Sequence, residues 1–115
     1  MRKGLLSVAL ALVSTAAMAE GAAPAGDAKA GLANFNKFGC YTCHGIIGQG
    51  TLRDGPHIDA AAFGFPALLA QLRTPRYEMP AYTEVQISDS AVADIYAYLT
   101  TLPKTPDPKS IRALQ

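Results

Sequence analysis

Cys40-Tyr41-Thr42-Cys43-His44 decides how the rest of this chain is read. Two thiols three positions apart, followed at once by an imidazole, have the spacing at which a c-type haem is attached. Each thiol can add across one vinyl group of a porphyrin to form a thioether, and the neighbouring His44 can offer a ring nitrogen to the iron as proximal ligand. One turn of helix suits this chemistry, because positions i and i+3 share a face and can meet the same porphyrin edge. A bare Cys-x-x-Cys can also be a thioredoxin-like redox pair, but no alternating β-branched strand flanks this one. A zinc site needs a second pair of ligands, and the chain has only two cysteines.

At 115 residues the chain is long enough for one domain, and its first nineteen residues read as a removable signal peptide. Met1-Arg2-Lys3 is a basic start, Leu5 to Val13 an apolar core too short to span a bilayer comfortably, and Ala17-Met18-Ala19 a small-residue cleavage motif. The expectation is export to the periplasm, with an uncleaved N-terminal anchor as the alternative. No later stretch is long and apolar enough to be a second span, so none is expected in the mature chain.

Of ten basic residues, removal of Arg2 and Lys3 leaves eight, against nine acidic ones, a formal charge of −1 for the mature chain. That balance does not suit nucleic-acid binding, nor a strongly basic docking face. With both cysteines in the motif, no disulfide can staple so small a domain, and an attached haem would supply the missing apolar centre. The chain without haem is therefore expected to be largely unfolded.

Residues 20–26 read as a flexible small-residue linker, 27–103 as the domain and 104–115 as a tail. Asp27 is a candidate N-cap, and Ala28, Gly31, Leu32, Phe35 and Phe38 form an apolar stripe at helical spacing, which predicts a first helix running from about Asp27 into the motif. Gly31 inside that helix suggests a place where another helix crosses closely. After His44, Gly45, Gly48, Gly50 and Gly55 predict a loop. Within it Ile46 and Ile47 are expected to cover the haem edge, the alternative being an exposed docking patch.

Pro66 to Arg73 has the pattern of a short helix with Leu68, Leu69 and Leu72 on one side, closed by Thr74-Pro75. Ser88 caps the clearest amphipathic helix, with Val92, Ile95, Tyr98, Leu99 and Leu102 on one face and Pro103 ending it. Arg73 and Arg76 admit two readings: solvated charges, or the partner of a haem propionate or of a carboxylate on another protein.

Met79, the one methionine of the mature chain, lies on an irregular segment between prolines, 35 residues after His44. That is ample chain to reach the other face of a porphyrin, so Met79 is the candidate sulfur ligand. His57, the remaining histidine, sits beside a proline turn and reads as a surface residue, with bis-histidine ligation as the alternative.

From about Ala30 to Pro103 these residues resemble a small class I cytochrome c of the bacterial, periplasmic kind. Gly31-x-x-x-Phe35 ahead of Gly39-Cys40-Tyr41-Thr42-Cys43-His44-Gly45 is similar to the family's first helix and haem motif, Gly55-Pro56 to its proximal loop, Met79-Pro80 to its distal loop, and Ile95-Tyr96-Ala97-Tyr98-Leu99 to the terminal helix that crosses at the glycine. The resemblance implies an all-α fold of three or more helices wrapped around one covalently attached haem c with one edge exposed. It also implies that the Pro56 carbonyl accepts a hydrogen bond from the His44 ring.

The function so implied is electron transfer with His44/Met79 ligation and no catalysis of its own. The protein would act as a soluble carrier or as the cytochrome subunit of a periplasmic dehydrogenase, and the stretch from Met79 to Leu102 looks like such subunits, including those of flavin enzymes that oxidise phenols or alcohols. Expected partners are a periplasmic dehydrogenase as donor and an oxidase or another cytochrome as acceptor. The alternatives, a peroxidase-like haem enzyme or a gas-binding haem module, need a labile distal site.

Overall fold

The computed structural model describes residues 23–60, 62–104 and 106–114. The predicted signal peptide, and the part of the predicted linker before residue 23, lie outside the described residues. Among the described residues four α-helices follow in order: α1 (Ala28–Lys37), α2 (Cys40–His44), α3 (Phe65–Arg73) and α4 (Asp89–Leu99), then two 3-10 turns at Pro108–Ser110 and Arg112–Leu114. Among the described residues there is no strand, and no helix is long and apolar enough to cross a membrane.

The frame is the packing of α1 on α4, with α3 added against α4 and α2 against α1. Asp27 caps α1 by accepting from Ala30 N at 2.7 Å, while its own N–H donates to Asp94 Oδ1 at 2.8 Å, so the cap also ties the helix start to α4. Gly31 has the packing role expected of it: a Cβ there would collide with the Asp94 carbonyl. Phe35 then packs on Tyr98 with ring centroids 5.5 Å apart and planes tilted by 58°. Among the described residues Phe35, Ile87 and Val92 are the largest wholly buried side chains, joined in the core by Leu72, Ile95 and Leu99.

Three expectations need correction. The first helix does not run into the cysteine motif: it ends at Lys37, and Gly39 takes a left-handed φ of 74° before α2 starts. Only glycine adopts that conformation at little cost, so the chain turns where the stripe alone predicts continuity. Leu32, expected on the buried stripe, is 41 % exposed. The last helix ends at Leu99 rather than Leu102. Thr100 and Thr101 turn their hydroxyls back to the carbonyls of Ala97 and Tyr98 at 2.7 Å each. Pro103, which has no N–H, disfavours helix at Leu102, whose own N–H makes the tighter bond to Leu99 O.

Candidate functional site

Gly39 starts α2 and Gly45 ends it, so the five motif residues form one isolated helical turn, as their spacing predicts. Thr42 holds that turn by donating its hydroxyl to Gly39 O at 2.6 Å. Cys40 and Cys43 lie three positions apart on it, not paired in a disulfide, and both are partly buried. Burial pushes the Cys40 thiol up to about 11 from 9.0; a backbone hydrogen bond opposes the shift and nearby Cys43 adds to it.

Both cysteines and His44 line a cavity of about 870 Å³, within the range of about 300–1,000 Å³ typical of cofactor sites. All four helices contribute walls: Phe35 from α1, Leu68, Gln71 and Leu72 from α3, and Ile95 and Leu99 from α4. The loops supply Pro56, Met79 and Tyr82. Sequence-predicted residues from two distant segments thus meet at one place. A smaller cavity of about 470 Å³ between the segment around Phe63 and the end of α4 has no cysteine, histidine or methionine in its lining.

His44 Nδ1 lies 2.8 Å from Pro56 O. A carbonyl oxygen can only accept, so Nδ1 carries the proton and Nε2 keeps its lone pair for a metal. The loop between them is folded back by Gly50 N donating to His44 O at 2.7 Å and Ile58 N donating to Gly48 O at 2.8 Å.

Met79 is half-buried, and its Sδ accepts from Gln71 Nε2 at 3.4 Å. The segment carrying it is anchored beyond Met79 by Tyr82: its N–H donates to Leu72 O at 2.8 Å and its hydroxyl to Phe38 O at 3.1 Å. Burial raises the Tyr82 phenol above its ordinary 10.0, which keeps that donor protonated. Tyr77, two residues before Met79, is a non-glycine residue at a φ of 60°, a strained conformation of the kind that gathers at functional sites.

The arginines divide. Arg73 does not line the cavity; it donates to Tyr82 O at 3.0 Å, Ile87 O at 2.8 Å and Asp89 Oδ1 at 2.6 Å. It is not a solvated charge but a brace between α3 and the start of α4. Arg76 lines the cavity together with Arg53, so these two cations are the candidates for carboxylates. His57 is exposed and absent from the cavity lining. Ile46 and Ile47 are 69 % and 51 % exposed and do not line the cavity either, so they do not cover its edge as expected. Their places in a loop held by backbone hydrogen bonds leave both side chains outward.

The residues fit a porphyrin. The inner wall is apolar, the cysteine pair and His44 stand at one part of it, and the thioether sulfur of Met79 at another. Leu52 and Tyr77 border the cavity yet are essentially fully exposed, at 105 % and 99 %. That is apolar surface which a large flat group seated there would cover. Gln71, Tyr82 and Arg53 were not legible as site residues in the sequence. For Gln71 a signal existed: it lies three residues after Leu68 and beside Leu72, a polar side chain on an otherwise apolar stripe.

Comparison with known proteins agrees with this geometry. The family model described as cytochrome C oxidase, cbb3-type, subunit III matches residues 26–99, which takes in α1 to α4, both cysteines, His44 and Met79. No curated protein and no solved structure matches the chain.

Proposed function

The chain belongs to this family of c-type cytochrome domains, which carry covalently bound haem c and transfer electrons, and from that premise we propose that it is a periplasmic monohaem carrier with His44 and Met79 as axial ligands. Cys40 and Cys43 would hold the group by thioethers, and Pro56 would orient the His44 ring. The carrying observation is the shared cavity, in which a His44 ring with Nε2 free and the Met79 sulfur line one apolar space.

When bound, haem supplies a one-electron ferrous/ferric couple. The protein's own residues do the rest. His44 is held in one tautomer by a backbone acceptor, so its orientation does not depend on the redox state. A thioether favours the reduced state, and apolar walls such as Phe35, Leu72 and Ile95 penalise the extra charge of the oxidised one. If His44 and Met79 both held the iron, no position would be left for a substrate, and the protein would pass electrons without catalysis of its own. His57, the acid–base candidate for a peroxidase-like role, lies outside the cavity, which disfavours that alternative.

The donor would be a periplasmic dehydrogenase and the acceptor an oxidase or another cytochrome, met through a small transient contact. Leu52 and Tyr77, exposed residues of the cavity lining, would offer apolar surface for that contact.

Carbon monoxide tests the closed site. The reduced protein is expected to keep its visible spectrum under the gas; rapid binding would show an open distal position and favour a gas-binding or enzymatic role.

A further inference from the structure

Met79 is not left alone in the cavity wall. Gln71 Nε2 lies 3.4 Å from its Sδ, and at the other end of the same amide Arg76 N lies 3.4 Å from Gln71 Oε1. A peptide N–H can only donate, so Oε1 must face it. This leaves the NH₂ group toward sulfur, which can only accept, and the amide orientation follows from both neighbours. Gln71 stands in the last turn of α3, so the donor is mounted on a helix rather than on the loop it contacts.

A thioether sulfur has two lone pairs. When one is given to iron, the second stays available to an N–H donor. We infer that Gln71 is a positioning residue for Met79: its amide holds the sulfur in the cavity and draws electron density from it, tilting the couple toward the ferrous state. The link through Oε1 to Arg76 N also sets the first residues of the Tyr77–Met79 segment relative to α3, so one side chain fixes both the approach of the loop and the electronic character of its sulfur.

The inference rests on Met79 as axial ligand, and the test separates the two claims. In the haem-loaded full chain, Gln71→Leu keeps the volume and removes the donor. The ferrous-to-ferric ratio at a fixed applied potential is expected to fall about fivefold, the scale of one hydrogen bond, or about 40 mV at 59 mV per tenfold for a one-electron couple. Far-ultraviolet circular dichroism should stay near that of the parent and the denaturant midpoint should fall only slightly, as the loss of two hydrogen bonds requires, whereas a merely structural role would lower the midpoint and leave the ratio alone.

The unmodified protein offers a second reading. In the reduced, diamagnetic state the Gln71 side-chain amide should exchange slowly with solvent and show a nuclear Overhauser contact to the Met79 methyl group. An unchanged ratio in Gln71→Leu, or a freely exchanging amide with no such contact, overturns the role of Gln71. If Met79→Ala leaves spectrum and potential as they were, the ligand assignment itself falls and takes the Gln71 role with it; if only Met79→Ala has an effect, the ligand stands and the role of Gln71 is rejected.

Discussion

On the His44 side of the cavity, everything that matters lies between Cys40 and Pro56: two cysteines and the imidazole on one helical turn, and the carbonyl 2.8 Å from Nδ1 that orients the ring. On the Met79 side almost nothing is local. Met79 is contacted by Gln71 of α3, and its segment is tied to Phe38 through the Tyr82 hydroxyl and to α3 through Arg73, which also reaches Asp89 at the start of α4. One side is a short closed loop whose parts come with the motif. The other exists only once three helices have assembled. The first should therefore survive damage to the helix frame that the second does not.

The most severe test is Cys40→Ser with Cys43→Ser. Pigment that stays on wild-type chains in a denaturing gel should be absent from the double variant, and helical circular dichroism should fall with it, because the apolar centre of the domain goes too. Retained colour would contradict the attachment assigned to the His44 side.

Next in size is Met79→Ala, which removes the far end of the comparison while leaving Cys40, Cys43 and His44 in place. Covalent haem should remain. The midpoint potential should fall by on the order of 0.1–0.3 V, within the roughly 0.8 V that axial ligation spans, and the reduced protein should now bind carbon monoxide. Redox titration and a visible spectrum under the gas decide it.

Arg73→Leu sharpens the contrast without touching either proposed ligand. The guanidinium bridges Tyr82 O, Ile87 O and Asp89, with Arg73 22 % and Asp89 55 % exposed. Its backbone bonds, rather than the half-exposed ion pair, carry most of its value. Loss should cost about 2 kcal/mol in denaturant unfolding, and the charge-transfer band of methionine-ligated ferric iron should weaken while haem remains attached. Equal loosening on the His44 side would mean that the two sides are not independent. Tyr82→Phe is the mildest change: it deletes the bond to Phe38 O and should cost about 1 kcal/mol, read from the same unfolding curves.

Legibility follows the same division. The motif turn, the Asp27 and Ser88 caps and the close crossing at Gly31 could all be read from neighbouring residues, because caps, turns and helical stripes are set by side chains a few positions apart. Helix ends were less legible. A left-handed Gly39 and two back-bonding threonines stop helices that apolar periodicity alone extends. Ile46 and Ile47 were misread because hydrophobicity says that a side chain is better buried but not whether a loop can turn it inward.

The sequence alone determined that this chain bears a c-type haem motif on a small helical domain, since covalent chemistry needs two thiols and an imidazole at one spacing and helices show their buried faces in their own periodicity. Only the tertiary structure decided which polar groups serve Met79 and which arginine braces α4 instead of lining the cavity. Those choices join residues whose separation along the chain carries no trace of their distance in space; it is packing of α1, α3 and α4 that brings them within hydrogen-bonding reach.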